Sequence, residues 1–267
     1  MHGQTFDCLI EPYVVVNVSS PVEGVLATVT VDRGDRVWKG QVVARLESNA
    51  ERVTVDTFRL RATMEASIKI NQTRLELRTR QHSRSAGLYH RTLIAAEELD
   101  EVETTKRLAA LDLRKAQEDQ HLAELELQRV TAELTRRTIK SPITGVVVKR
   151  LGHPGEFADE NPILTLAQMH PLRVEVFVPV LSLGQVAVGM RAEVMPELPV
   201  GGVHEARVTV VDQVIDAASG MFGVRLKLLN RDYRLPAGLK CQIRFLREGE
   251  PGIQSLSEFT DFLTTIR

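Results

Sequence analysis

Histidine, cysteine, methionine and the carboxylates are the side chains that could do chemistry here, and their spacing decides whether they do. The seven histidines, His2, His82, His90, His121, His153, His170 and His204, are scattered. No two share the short fixed spacing from which a metal site is built, so they read as surface or turn residues. The six methionines are dispersed as well, which argues against a soft-metal shuttle. Cys8 and Cys241 are the two cysteines, too far apart in sequence for a Cys-x-x-Cys redox motif. There is no phosphate-binding Walker loop, no dinucleotide glycine fingerprint and no Gly-x-Ser-x-Gly nucleophile elbow. The expectation is a non-enzyme with no catalytic residue, no metal and no cofactor. Asn17-Val18-Ser19 and Asn71-Gln72-Thr73 match the glycosylation sequon, a three-residue pattern that arises by chance.

Composition narrows the classes further. The formal charge is -1 and aromatics are 4% of the chain, so no basic-aromatic patch offers a nucleic-acid surface. No run approaches the ~20 apolar residues of a membrane span. The opening Met1-His2-Gly3-Gln4-Thr5-Phe6 lacks the charged and apolar regions of a signal peptide. The protein is therefore expected to be cytosolic, or to have had a leader removed.

Whatever these residues do, a long helical stretch must position them. Glu51 to Thr138 contains no proline and a single glycine, Gly87, and is rich in straight-chain helix formers. Val102, Ala109, Leu113, Ala116, Ala123, Leu127, Val130 and Leu134 form a heptad seam. The stretch is too long for one globular helix, which predicts a folded-back hairpin. Glu51 to Arg91 holds nine bases and four acids, whereas acids outnumber bases from Glu97 to Thr138. An antiparallel pair would set a basic arm beside an acidic one; a long solvated helix with unplanned charges is the other reading. Propensity would break the chain at Ser83–Gly87. Arms of equal length instead put the tip at about Thr92–Ala96, each arm reaching ~60 Å.

Two near copies of one pattern flank that stretch. Ser20-Pro21-Val22-Glu23-Gly24-Val25 precedes it and Ser141-Pro142-Ile143-Thr144-Gly145-Val146 follows it. Each continues to a glycine turn, Asp32-Arg33-Gly34-Asp35 and Gly152-His153-Pro154-Gly155-Glu156, and ends in a short apolar strand. The expectation is one small β-sandwich split by the hairpin, with halves at 17–50 and 139–168 and the hairpin at 51–138. Period-two alternation in Leu172–Val178, Phe222–Leu228 and Cys241–Phe245 predicts a small closed β-barrel over 169–247. Residues 1–16 read as an edge strand packing on the barrel, because proline is tolerated at edges. Residues 248–267 read as a mobile tail.

In this order and spacing, the two Ser-Pro-x-x-Gly-Val halves, the inserted hairpin and the closing Leu235-Pro236-Ala237-Gly238-Leu239 resemble periplasmic adaptor, or membrane fusion, proteins of the HlyD type. The resemblance implies an α+β fold: a split lipoyl-like sandwich, an inserted antiparallel hairpin and a following barrel. It also implies a periplasmic protein associated with the inner membrane. Its partners would be an inner-membrane transporter of RND or ABC type, an outer-membrane channel and copies of itself, six per ring. The alternative is a cytosolic coiled-coil scaffold with β-modules. The first half is similar to a lipoyl carrier too, but Gln41–Asp56 contains no lysine to carry a cofactor.

Family members in drug efflux carry Arg-x3-Leu-x6-Ser at the hairpin tip. Arg84 and Leu88 fit, while Ala95 stands at the serine position. Within the resemblance, Ser20, Pro21, Gly24, Gly34, Ser141, Pro142 and Gly145 mark the sandwich halves. Leu99, Leu108, Leu111, Leu122 and Leu125 form a second apolar row beside the seam, able to meet a neighbour or to widen the contact between the arms. The split topology brings both termini to the barrel side. Cys8 and Cys241 would then pair in an oxidising periplasm if their Cα atoms come within about 4.4–6.8 Å; two independent buried thiols are the alternative.

Overall fold

The computed structural model describes residues 4–246. The chain divides into two compact units: Leu46–Thr138, and the two flanking stretches together. The proposed tail at 248–267 lies outside the described residues.

The flanking stretches build a sandwich and a barrel. In the first half of the sandwich run β2 (Val15–Ser19), β3 (Gly24–Val29), β4 (Arg36–Val37) and β5 (Val42–Leu46). In the second run β6 (Thr138–Lys140), β7 (Gly145–Arg150), β8 (Phe157–Ala158) and β9 (Pro162–Ala167). Neither half forms a sheet alone. One sheet has the order β2-β9-β7-β4 and the other β6-β5-β3-β8, so every sheet mixes strands of both halves.

The repeat seen in the sequence continues into the hydrogen bonds. The Ser20 hydroxyl donates to the Val22 carbonyl at 2.5 Å, and the Ser141 hydroxyl to that of Ile143 at 2.6 Å. The Asp35 carboxylate accepts from the Asp32 N–H, and Glu156 accepts from that of His153. Gly34 and Gly155 take φ of +94° and +90°, which glycine adopts at no steric cost. Their N–H groups then cross over: Gly34 donates to Val147 O at 2.9 Å and Gly155 to Leu26 O at 2.8 Å. Gly145 is needed for a different reason. A Cβ there would meet the Ala167 carbonyl, which lies almost on top of it.

The barrel closes in the order β1-β10-β13-β12-β11-β14. Its strands are β1 (Phe6–Pro12), β10 (Leu172–Pro179), β11 (Arg191–Pro196), β12 (His204–Asp216), β13 (Met221–Leu228) and β14 (Leu239–Phe245). Ile10, Leu172, Val174, Phe222, Leu226 and Ile243 are among the buried residues that fill it. Each such side chain contributes about 1.5–3 kcal/mol by leaving water. The N-terminal segment therefore corrects the edge-strand expectation, since β1 bonds to β10 on one side and to β14 on the other. Pro12 is tolerated because the β1–β14 ladder ends at Ile10, where no N–H of Pro12 is required. Residues from Val15 onward belong to the sandwich instead. Cys8 stands opposite Cys241 in the β1–β14 ladder, and a disulfide joins them with Cα atoms 4.8 Å apart.

Two chain crossings connect sandwich to barrel. Tyr13 N–H donates to Gln168 O and Gln168 N–H to Val14 O, lacing the crossings together. The 229–238 connection braces them. Buried Asn230 donates through Nδ2 to Met169 O, and its backbone N–H donates to His170 Nδ1. The Arg36 guanidinium of the sandwich lies 4.4 Å from the Tyr233 ring centroid, a cation–π contact.

Gly145→Ala is expected to lower stability by about 1–3 kcal/mol, the ordinary cost of forcing an extra carbon into a packed site. A urea titration reads it, and an unchanged midpoint would mean that the strand carrying Ala167 moves aside freely.

Candidate functional site

With no group of three or more His, Cys, Asp or Glu side chains placed to hold a metal among the described residues, the candidate site is the surface of the helical unit. Arm one is α1 (Asn49–Ala62) followed by α2 (Ala66–Tyr89); arm two is α3 (Ala96–Arg136). The 41 residues of α3 span ~60 Å. The heptad seam faces arm one as its spacing requires: Ala109, Ala116 and Val130 are buried and the other five seam residues half-buried. Leu108, Leu111, Leu122 and Leu125 of the second row stay exposed. They do not widen the contact between the arms.

Arm one is not the unbroken helix its composition suggests. Thr63 turns its hydroxyl back onto Arg59 O and Leu60 O, and Met64 N–H bonds to Arg61 O three residues back. Side-chain competition of this kind loosens a helix. Gln120 of α3 donates to the Ala62 carbonyl at the break, at 3.3 Å.

Charge plays a smaller part between the arms than the basic and acidic compositions imply. Arg137–Glu51 at 2.5 Å and Arg74–Asp112 at 3.8 Å cross between them. Arg107–Glu103, Arg114–Glu118 and the Arg129 fork to Glu126 and Glu133 run along α3 itself. The hydrogen bond from Arg129 holds the Glu126 carboxyl below its ordinary range, and Glu126 raises Arg129 in turn. At the arm-one break the bond between Lys69 and Glu65 does the same, lowering the acid and raising the base. These groups are exposed, so each pair adds little to stability.

The tip lies between Tyr89 and Ala96, where equal arm lengths place it, and α2 runs straight through Gly87. Arm one ends in a Schellman cap: Leu93 N–H bonds to Leu88 O and Thr92 N–H to Tyr89 O. Thr92 occupies the left-handed position at φ +63°, where glycine is usual. Nothing in the sequence marks this, because the glycine that would signal the cap is five residues early. Leu88 thus supplies the anchoring carbonyl, and its side chain is exposed. Ala95 is the N-cap residue of α3 and offers no side-chain cap to the first turn, while Glu97 and Glu98 lie in that turn. Arg84 lines a cleft of about 420 Å3 between the arms with Gln81, Glu98 and Glu101.

The other residues singled out in the sequence sit elsewhere. Ser20, Pro21, Gly24, Gly34, Ser141, Pro142 and Gly145 shape turns and crossings of the sandwich, and Cys8 and Cys241 close the barrel.

Comparison with known proteins follows this geometry. Residues 14–168 match the model of the CzcB-like, barrel-sandwich hybrid domain. An uncharacterised protein of Haemophilus influenzae is 22% identical over 240 residues, covering 88% of this chain and 55% of that one, so the chain spans about half that relative. A UPF0194 membrane protein of Yersinia enterocolitica is 24% identical over 284 residues, covering 87% and 86%. MacA from Actinobacillus actinomycetemcomitans shares the fold, with a TM-score of 0.76 at 20% identity over 91% of this chain and 78% of that one.

Serine is among the best N-cap residues and alanine among the poor ones. Ala95→Ser should therefore stabilise the helical unit by about 0.5–2 kcal/mol, measured by denaturant titration of the whole chain followed by circular dichroism. A loss of stability would place residue 95 outside the cap.

Proposed function

The chain belongs to the CzcB-like barrel-sandwich hybrid family, and on that premise we propose that it is the adaptor subunit of an export assembly. It works in the periplasm beside the inner membrane. It joins a transporter of RND or ABC type to an outer-membrane channel and assembles with copies of itself, six per ring by family resemblance. One observation carries this reading: the second apolar row on α3, Leu108, Leu111, Leu122 and Leu125, is left uncovered on a helix ~60 Å long. A free hairpin gains nothing from four exposed leucines on one face. A hairpin packed against its neighbour buries them, at about 25 cal/mol for each Å2 removed from water.

The rest of the architecture suits a coupler. The base of the hairpin ties its two arms together, where Leu46 N–H bonds to Arg137 O and the Arg137 guanidinium holds Glu47 O and Glu51. The position where a carrier domain presents its lysine is occupied here by Glu47 and Ser48 leading straight into α1. A spacer with a capped tip, and without a swinging arm, transmits position.

The Cys8–Cys241 disulfide supports the compartment, because such bonds persist where the surroundings oxidise. Protein recovered from the periplasm should show no free thiol in non-reducing mass spectrometry. Two free thiols there would count against both the bond and the location.

The docking reading is tested at the tip. Arg84→Glu combined with Leu88→Asp should abolish export by the assembled system while circular dichroism and self-association stay unchanged, since both side chains are exposed. Full export by this variant would remove the tip from the mechanism.

A further inference from the structure

The outer wall of the barrel carries a groove of about 790 Å3. Its floor follows from strand alternation. Cys8 and Ile10 point into the barrel, so Asp7 and Leu9 point out; on β10 Val176 and Val178 point in, so Glu175 and Phe177 point out. Register sets Leu9 between Glu175 on one side and Lys240 on the other. Phe177 is paired with Gly223, whose strand offers no side chain to cover its ring, and it remains 62% exposed. The connection after β11 forms the remaining wall. Met195 is buried beneath it, and Leu198, which also lines the groove, is 89% exposed. A volume of this size lies within the usual range for small-ligand sites.

Two carboxylates at the rim of this apolar surface carry unpaired negative charge. Asp7, Glu175 and Glu197 line it, against Lys240 alone. Arg225 and Arg173 hold Glu175 at 3.0 and 3.4 Å, whereas Asp7 and Glu197 have no ion-pair partner among the described residues. The Asp212 carboxylate lies over Gly223, beside Phe177, and adds to the negative field.

We propose that this groove binds a cationic amphiphile, a small organic cation whose apolar rings lie on Leu9, Phe177 and Leu198. The positive charge faces the Phe177 ring and the carboxylates at the rim. Apolar burial supplies most of the attraction, and cation–π and charge terms select the sign. The inference goes beyond the adaptor reading and does not rest on it, because binding is a property of the purified chain.

Equilibrium dialysis with tetraphenylphosphonium tests it, with tetraphenylborate as the anion of matched size. The expected result is saturable binding of one cation per chain, at least about tenfold tighter than the anion, a difference of about 1.4 kcal/mol. Asp7→Asn with Glu197→Gln should weaken the cation by about tenfold and leave the fold intact, since both side chains are exposed. Phe177→Ser should weaken it comparably; if that variant misfolds, the charge variant decides alone. Absence of saturable binding, equal binding of the anion, or full retention by the double charge variant would each overturn the proposal. A stable dimer that keeps the cation out of the groove at every protein concentration would also overturn it.

Discussion

The structure depends on a pair of reciprocal hydrogen bonds. Gly34 of the first half reaches Val147 of the second, and Gly155 of the second reaches Leu26 of the first. Each half lends its turn to the other's strand, so neither can satisfy its backbone alone. This makes the excursion between the halves a closed loop. The chain that leaves at Leu46 must return at Thr138, beside its own starting point. A helical excursion under that constraint needs an outward and a return arm of equal reach, which puts the tip near residue 93 despite the pull of Gly87. The length of α3, the place of the cap and the firm root at Arg137 all follow from closing the sandwich.

Much of this was legible because it rests on local patterns with a physical period. The Ser-Pro-x-x-Gly-Val copies predicted a split sandwich, and both serines fold the same hydroxyl turn. The heptad seam predicted which face of α3 meets arm one, and Ala109, Ala116 and Val130 lie buried there. The missed features are those in which a distant partner overrides a local preference. Pro12 suggested an edge, yet β14 simply ends before reaching it. Thr63 lies in a good helical sequence, but its hydroxyl competes for carbonyls and Gln120 satisfies the one set free. Thr92 takes a glycine's conformation because the cap around it fixes the backbone. The opposite charges of the arms suggested cross-pairing, whereas the nearest partner for most of the arginines on α3 is a glutamate one turn away. The groove on the barrel could not be seen at all, since it is assembled from four strands and a connection far apart in the chain.

The division of labour within the molecule is consistent across these scales. The sandwich uses its repeated turns to lace its own two halves together. The barrel is braced to it through Asn230 and the Arg36–Tyr233 contact, so the two crossings at Tyr13 and Gln168 do not act as a free joint. The ion pairs of α3 are placed where solvent screens them, along the helix surface. What the molecule offers to partners is therefore shape and apolar area, with carboxylates concentrated at one place on the barrel wall.

The strand that closes the barrel is the first among the described residues. β1 pairs with β14, and the two cysteines that join them are 233 residues apart. During synthesis or passage across a membrane, β1 emerges well before its eventual partner. Until then its N–H and C=O groups form an open edge able to pair with another chain. Contacts of such long range form slowly, because most of the chain must be ordered before they bring any return. Closing the barrel therefore waits on β14, and a chain held before that step exposes the edge of β1 to strand pairing with another molecule.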